Sequence, residues 1–368
     1  MKDVTPIIDC DIHQRLKSPT DLFPYLPRHY VEDIKAFGLR MPGGGYLNGG
    51  DRGYRSDAWP TEGRMVGSEL EVMRAQLLDV YPIEYGILLG QELRPTSSLP
   101  DADYAAALAT AYNDWMRDHW LDQDERLRGA IMVAHQDPEK AAAEVRRAAK
   151  HPSMVAVLFP NGARMPYGQR FYDPIYRACE DHGLPLVLHT GSEGVGINPA
   201  PSPVGYPAHY VELRQGRAMG YQMHLASMLF EGLFERFPTL NVMFVEGGYI
   251  WLPTYLWRLD SDWRALRSQT PWVKKEPSEY VFERCLFASQ PMETSEGAKR
   301  LLQIFEWARA ERTLVFASDY PHWDFDSPDL ALPPMPPDLK RRVFADNARA
   351  FFRLERREVG TQAAAAPA

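Results

Sequence analysis

Short apolar runs rich in Ile, Val, Leu and Phe recur along the chain, separated by stretches with apolar residues at helical spacing. Most runs are continuous rather than alternating in hydrophobicity, which is typical of parallel strands buried on both faces. Strands are predicted at Pro6–Asp11, Glu84–Leu89, Leu127–Val133, Met154–Phe159, Leu184–His189, Asn241–Val245, Arg284–Ala288 and Thr313–Ala317. Helices are predicted between them, for example at Ala105–Arg117, Pro138–Ala149, Asp173–His182 and Leu225–Phe237.

This alternation of strands and helices predicts an α/β fold built from βαβ units, and eight such units predict a closed (β/α)8 TIM barrel. An open doubly wound sheet is the competing architecture. No G-x-G-x-x-G motif follows the first strand, which disfavours the open sheet. Residues 1–356 are expected to form a single domain, and residues 357–368, which end in TQAAAAPA, a disordered tail.

Three connections are too long and too rich in glycine or proline to be plain turns, namely Gly43–Pro60, Ser192–Gln222 and Ser327–Pro337. All three leave the carboxyl ends of predicted strands, where barrels of this kind build their sites. We therefore predict long loop insertions at the C-terminal face of the barrel, including a lid-like insertion at residues 40–62.

Composition narrows the class of protein. The 368 residues are 45% hydrophobic and 24% charged, as in ordinary globular proteins, and the net charge of −8 offers no basic surface for nucleic acid or an anionic membrane. Three scattered cysteines do not suggest a disulfide framework. No secretory pattern or apolar run of about 18 residues is present, so we expect a cytoplasmic protein with a small-molecule substrate.

Ionisable side chains stand at the ends of three predicted strands. Asp11 and His13 follow strand one two positions apart, so an extended chain points both to the same face. His189 follows strand five in LPLVLHTG, and Asp319 follows strand eight in LVFASDYPH. Strands one and eight are neighbours in a closed barrel, so the four side chains converge at its mouth. This mixed nitrogen and oxygen set predicts one divalent metal ion, Zn²⁺ before Mn²⁺.

Each position has a plainer explanation when it is taken alone. A D-x-H pair occurs often by chance, and a strand-end histidine such as His189 can simply cap backbone groups. Asp319 can merely start the turn before Pro321. The metal prediction therefore depends on all four residues occurring together in strand order.

Together, Asp11-x-His13, His189 in LHTG, the EGGYIWLP run and SDYPH resemble the amidohydrolase superfamily. The similarity is greatest to its amidohydrolase-related branch, which contains aminocarboxymuconate-semialdehyde decarboxylase, resorcylate-type decarboxylases and various hydrolases. It spans residues 7–352 and includes LFERFPTLNVMFVEGG and ADNARAFF. The resemblance implies that the four strand-end residues ligate a metal and that Asp319 takes a proton from metal-bound water.

The chain departs from that branch at the end of strand six. Decarboxylases of the branch typically place a histidine there in an HGGG-like run, whereas this chain reads FVEGG, with Glu246 at that position. His224 and His322 are candidates for the missing role. Alternatively, Glu246 bonds the glycine turn that follows it, His224 is a buried helix histidine, and His322 supports Asp319.

The primary prediction is a metal-dependent hydrolase that acts on a small cyclic or aromatic acid, lactone or amide. A metal lowers the pKa of bound water to about 7, and Asp319 is the candidate base. Glu246, His224 or His322 would orient the water or protonate the leaving group. The alternative is a metal-dependent non-oxidative decarboxylase of an aromatic or unsaturated acid, and a second alternative is a metal-free binding protein.

Two further expectations concern the surface of the protein. Arg55, Arg164 and Arg214 are candidates for binding a carboxylate, although solvated surface charge also explains each of them. The apolar stretches Leu225–Phe237 and Trp251–Trp263 suggest a homodimer interface.

Overall fold

The computed structural model describes residues 5–44, 53–59, 65–293 and 297–359. At its centre is an eight-stranded parallel sheet in which each strand pairs with the next strand along the chain. The strands are β1 Ile7–Ile12, β2 Ile83–Leu88, β3 Leu127–Met132, β4 Met154–Pro160, β5 Leu186–His189, β6 Val242–Val245, β7 Cys285–Ala288 and β8 Leu314–Val315.

The end of β8 returns to β1 and closes the barrel. The amide of Cys10 donates to the carbonyl of Phe316 at 3.1 Å, and the amide of His13 donates to that of Tyr320 at 2.8 Å. An open sheet would leave β1 and β8 as edges without such bonds. The predicted TIM barrel is therefore confirmed, and the doubly wound alternative is wrong.

Helices surround the barrel and bury the outer faces of its strands, which explains why the strand sequences are continuously apolar. The helix bounds are α1 Arg28–Phe37, α2 Leu70–Met73, α3 Ala102–Met116, α4 Pro138–Ala148, α5 Asp173–Asp181, α6 Tyr210–Phe230, α7 Leu233–Arg236, α8 Leu252–Leu266, α9 Pro277–Arg284, α10 Ala298–Trp307, α11 Ala310–Thr313, α12 Pro337–Arg341 and α13 Asn347–Phe351. A short 3-10 turn, Arg94–Ser98, follows β2. None of the helices described is long and apolar enough to cross a membrane.

The connection after β5 differs from its prediction. Ser192–Gln222 was expected to be a loop, but α6 begins at Tyr210 and runs for 21 residues. Gly216 and Gly220 obscure this helix in the sequence because glycine has a low helix propensity. A Cβ at Gly220 would lie 2.6 Å from the side chain of Asn161, so close packing requires glycine at that position.

The predicted helix Leu225–Phe237 is also interrupted. Helix α6 ends at Phe230, and Gly232 adopts φ +70° before the short helix α7 begins. Glycine enters this left-handed region without the steric cost of a Cβ atom, so the chain turns there.

The described part of the predicted lid-like insertion lies against the loop after β8. The amide of Trp323 donates to the carbonyl of Gly53 at 3.0 Å, and the amide of Arg55 donates to that of Pro321 at 3.0 Å. Residues 45–52 and 60–62 of the insertion lie outside the described residues, as do residues 360–368 of the predicted tail. Residues 53–59 are thus positioned at the barrel mouth.

Candidate metal site and adjoining cavity

Asp11 and His13 lie buried at the carboxyl end of β1. The Nε2 atom of His13 is 3.1 Å from Oδ1 of Asp11 and 3.0 Å from Oδ1 of Asp319. On the other side of the ring, Nδ1 donates to the carbonyl of Leu89 at 2.7 Å. This bond fixes the ring and directs Nε2 towards the two carboxylates, as in a metal-ligating histidine.

His189 and Asp319 complete the cluster from β5 and β8. Nδ1 of His189 donates to the carbonyl of Thr190 at 2.8 Å, and its Nε2 lies 3.4 Å from Oδ2 of Asp11. Asp319 adopts φ +58°, and its amide donates to the carbonyl of Asp11 at 3.0 Å. A non-glycine residue held in this strained region is typical of a functional site.

The donor atoms in this cluster fit one divalent metal ion. One ligand atom from each of Asp11, His13, His189 and Asp319 lies within 4.8 Å of the others, and all four residues are buried. Nε2 of His13 lies close to Asp11 and Asp319, but neither it nor the two carboxylate oxygens of Asp11 nor Oδ2 of Asp319 makes a hydrogen bond of normal geometry among the described residues. Buried polar atoms without partners are costly, and a cation would satisfy all of them at once.

The charges in the cluster point the same way. Burial alone would lower the pKa of His13, but the carboxylates of Asp11 and Asp319 outweigh it and raise that pKa to about 10. Burial alone would raise the pKa of Asp11, but His13 and His189 bring it well below its ordinary range. The two carboxylates thus favour a positive charge between them. A divalent cation would supply that charge in place of the proton on His13.

A cavity of about 140 Å³ adjoins the cluster. Its charged and aromatic lining comes from the ends of several strands, from α6 and from the insertion. It includes the arginines Arg94, Arg214 and Arg217, the carboxylates Glu246, Asp319 and Asp324, the imidazole of His322, and the rings of Tyr54, Tyr210 and Trp323. A space of this size suits a small single-ring molecule rather than a larger ligand.

Glu246 follows β6 with φ +60° and reaches into the cavity. Its carboxylate accepts hydrogen bonds from Oγ1 of Thr190 and Nη1 of Arg217, rather than from the glycine turn considered above. Burial alone would raise its pKa, but Arg217, together with His189, His322 and the hydrogen bond from Thr190, lowers the pKa well below its usual range. Glu246 is therefore an ionised carboxylate whose two oxygens are both engaged.

His322 links the cavity to the metal cluster. Its Nδ1–H donates to Oδ1 of Asp319, and its Nε2 accepts from the side-chain amide of Gln91 at 2.8 Å. The ring stacks on Tyr54 with the centroids 5.3 Å apart. The structure thus brings His322 together with the predicted base Asp319.

The structure places His224 elsewhere. Its Nδ1 accepts from the amide of Tyr167 at 3.2 Å, and its Nε2 donates to the carbonyl of Asn161 at 2.8 Å. The ring stacks on Tyr167 and does not line the cavity. Backbone groups occupy both nitrogens of His224, so the structure fits the buried structural role and gives no support to the predicted catalytic role.

His224 also makes the fold sensitive to acid. Burial lowers its pKa from 6.5 to about 4, so the unfolded chain takes up this proton more readily and stability is lost as pH falls below 6.5. Between pH 6.5 and 4, we expect the unfolding free energy of the wild type to fall faster than that of His224→Gln, by up to about 1.4 kcal/mol per pH unit. Urea unfolding at several pH values measures both slopes.

His135, a buried neighbour, provides a second variant for this measurement. Burial, with a smaller contribution from His224, lowers its pKa to about 3, and its Nε2 lies 3.2 Å from the hydroxyl of Tyr167. His135→Gln is expected to reduce the pH dependence in the same sense. Identical slopes in the wild type and both variants would contradict the assignment.

Several residues at the site were not identified from the sequence. The carboxylate of Asp9 accepts from the amides of Asp11 at 3.2 Å and Ser318 at 2.9 Å, and so ties β1 to the end of β8.

Arg94 and Arg217 line the cavity, whereas the predicted candidate Arg164 does not. Of the other two predicted arginines, Arg55 bonds Asp57 and Arg214 bonds Asp324. Only knowledge of the α6 helix would have placed Arg217 beside Arg214.

A closed parallel barrel with histidine and aspartate side chains converging at its carboxyl end defines a barrel enzyme with a candidate site for one metal ion. The family model described as amidohydrolase matches residues 8–354. The chain belongs to the amidohydrolase family, as the sequence resemblance predicted.

Several proteins of named activity are similar to this chain in sequence or in fold. Gamma-resorcylate decarboxylase of Polaromonas sp. (strain JS666) is 27% identical over 284 residues, which cover 73% of this chain and 82% of the relative. The crystal structure of a Polaromonas dihydroxybenzoic acid decarboxylase with bound manganese and 2-nitroresorcinol has a TM-score of 0.65 at 18% identity, covering 95% of this chain and 97% of the other. The 5-carboxyvanillate decarboxylase of Sphingomonas paucimobilis has a TM-score of 0.66 at 21% identity, with 95% and 100% coverage.

Proposed function

We propose that this protein is a metal-dependent, non-oxidative decarboxylase of a small aromatic carboxylic acid. The observation that carries the proposal is the cavity itself, which joins the four-donor cluster to an arginine-rich wall suited to an anionic ligand. The relatives named above are decarboxylases of aromatic acids, which favours this alternative over the hydrolase that was the primary prediction.

The position of Glu246 also weighs against a hydrolase. A hydrolase was expected to use Glu246 or a nearby histidine to orient the attacking water. Both oxygens of Glu246 are instead held by Thr190 and Arg217, so the residue is not free to accept a proton from water. Its place in the wall fits a role in shaping the cavity.

We propose Mn²⁺ rather than Zn²⁺ as the ion in the cluster. A related decarboxylase contains manganese, and a site with two carboxylates and two imidazoles suits that ion. Held by Asp11, His13, His189 and Asp319, the ion would act as a Lewis acid towards the oxygen atoms of the substrate. The predicted preference for Zn²⁺ has no support from these comparisons.

Asp319 and His322 provide the proton that the reaction consumes. The bond between the ring and the carboxylate breaks, CO₂ leaves, and the electron pair of that bond remains on the ring carbon, which must then take up a proton. Nδ1 of His322 holds a proton against Oδ1 of Asp319, and both side chains line the cavity. This pair is therefore placed to deliver a proton to the ring carbon, and water returns one proton to the pair in each turnover.

The test is to incubate Mn²⁺-loaded protein in D₂O with 2-hydroxybenzoate and 2,6-dihydroxybenzoate. We expect one CO₂ per molecule of acid consumed and a product with one deuterium at the carbon that carried the carboxylate. Asp329→Asn, which replaces an exposed carboxylate outside the cavity, is expected to react like the wild type. Hydrolysis of lactones or amides without CO₂ release from any acid would instead support the hydrolase.

A further inference from the structure

Two of the three arginines that line the cavity are already paired with carboxylates. Nη1 of Arg217 bonds Glu246, and its Nη2 donates to the hydroxyl of Tyr210 at 3.0 Å. Nη2 of Arg214 donates to Oδ2 of Asp324 at 2.6 Å. The charges of these two pairs cancel inside the cavity wall, so neither pair presents a net charge to a ligand.

Arg94 differs from the other two arginines. It lies in the turn after β2, where its Nη1 donates to the carbonyl of Thr190 at 2.9 Å and contacts the ring of His189. Its Nε donates weakly to the carbonyl of Gln91 at 3.4 Å. No carboxylate pairs with Arg94 in the part of the chain that the structure describes.

Among the described residues of the cavity, one positive charge is therefore not balanced by a carboxylate. Outside the metal cluster, three arginines face Glu246 and Asp324, so three positive charges meet two negative ones. Within the cluster, one divalent ion would balance the two carboxylates of Asp11 and Asp319. The remaining charge is that of Arg94, directly beside the metal ligand His189.

We propose that Arg94 binds the carboxylate of the substrate and makes the site selective for acids with a single carboxylate. This inference deepens, and rests on, the proposed function. A guanidinium group binds a carboxylate through two parallel hydrogen bonds, which gives both charge and orientation. A second carboxylate on the same ring would meet no uncompensated positive charge among the described residues.

Arg94 is on this account a specificity residue rather than a catalytic residue. The carboxylate loses its negative charge as CO₂ forms, so Arg94 holds the ground state more tightly than the transition state. Interactions of that kind contribute to substrate affinity and not to the rate of the chemical step. Loss of Arg94 is therefore expected to act mainly on KM.

Calorimetric titration of Mn²⁺-loaded protein tests this inference without requiring turnover. The probes are 2-hydroxybenzoate and phenol, the neutral compound that lacks its carboxylate. Arg94→Gln is expected to weaken 2-hydroxybenzoate binding at least about tenfold and phenol binding less than about twofold, and Arg94→Lys to recover part of the loss. Equal loss for both probes would indicate a structural role and overturn the proposal.

The matched control removes the same charge from an arginine outside the cavity. Arg164 is exposed and does not line the cavity, and we expect Arg164→Gln to bind 2-hydroxybenzoate within about threefold of the wild type. Isophthalate, which has two carboxylates, is expected to bind the wild type at least about fivefold more weakly than benzoate. Equal or tighter binding of isophthalate would overturn the selectivity for one carboxylate.

The remaining outcomes separate this inference from the proposed function. If Arg94→Gln loses affinity for the acid while the wild type releases no CO₂, Arg94 remains the carboxylate-binding residue and only the proposed reaction fails. If CO₂ is released with the same KM in the wild type and Arg94→Gln, the inference about Arg94 fails and the proposed reaction stands. A wild type that binds none of the monocarboxylates overturns the inference.

Discussion

Protein stripped of metal by a chelator is expected to release no CO₂, and one equivalent of Mn²⁺ is expected to restore the activity and raise the melting temperature. Without the ion, the buried oxygens of Asp11 and Nε2 of His13 make no hydrogen bond of normal geometry among the described residues. Binding an ion at about 1,000 times its Kd would add about 4 kcal/mol to the unfolding free energy. Elemental analysis and calorimetry before and after reloading measure both effects.

Variants of the ligands sharpen this prediction. His189→Ala and Asp319→Ala are expected to retain less than about a tenth of an equivalent of metal, because each removes one of four ligands. His135→Gln is the matched control, since His135 is also a buried histidine after a barrel strand but lies outside the cluster. Full metal content in both ligand variants would contradict the four-ligand site. No metal in reloaded wild type would favour the binding-protein alternative.

The barrel and the metal cluster could be predicted because both depend on short-range patterns and on chain order. A buried parallel strand is continuously apolar, so the eight runs were visible, and the observed bounds differ from the predicted ones by at most a few residues. The two-residue spacing of Asp11 and His13 fixes their common direction. Closure of the barrel then brings Asp319, from the last strand, beside the first.

The rest of the site depends on contacts that no local pattern encodes. Arg94 contacts His189, which lies 95 positions further along the chain, and its 3-10 turn has no periodic signature in the sequence. His224 looked available for catalysis, but the backbone of the segment after β4 occupies both of its nitrogens. Arg217 lies on α6, and the glycines of that helix weaken its helical signal in the sequence.

The identity of the ion shows a different limit of sequence analysis. Two carboxylates and two imidazoles determine the class of donor atoms, but several divalent ions bind such a set with similar preferences. The sequence therefore predicted a divalent site at four residues that the structure brings together, and ranked Zn²⁺ first without a feature that separates it from Mn²⁺. Elemental analysis of the purified protein, rather than further inspection of the sequence, distinguishes them.

His322→Gln is expected to lower kcat for CO₂ release by about 10² to 10³-fold with metal content unchanged. The imidazole is placed between the cavity and the cluster, and its Nδ1–H donates to Asp319. Glutamine can keep a hydrogen bond to Asp319. Unlike the imidazole ring, its amide cannot take up a proton at one atom and release a proton from another. Steady-state kinetics together with metal analysis of the same samples measure the effect.

Gln91 provides a graded version of the same experiment. Its amide donates to Nε2 of His322 and so keeps the ring proton on Nδ1, facing Asp319. Gln91→Leu removes that orientation without removing the imidazole, so we expect a smaller loss of kcat, about tenfold. His209→Gln, which changes an exposed histidine paired with Glu212, is the control and is expected to leave kcat within about twofold.

These variants distinguish proton delivery from support of the metal cluster. If His322 only positions Asp319 as a ligand, His322→Gln loses metal, and the lost activity returns when excess Mn²⁺ is added. If His322 delivers the proton, metal content stays at one equivalent and excess Mn²⁺ restores nothing. A kcat within about threefold of the wild type at full metal content would exclude His322 as the proton donor, because general acid catalysis contributes about 10² to 10⁴-fold.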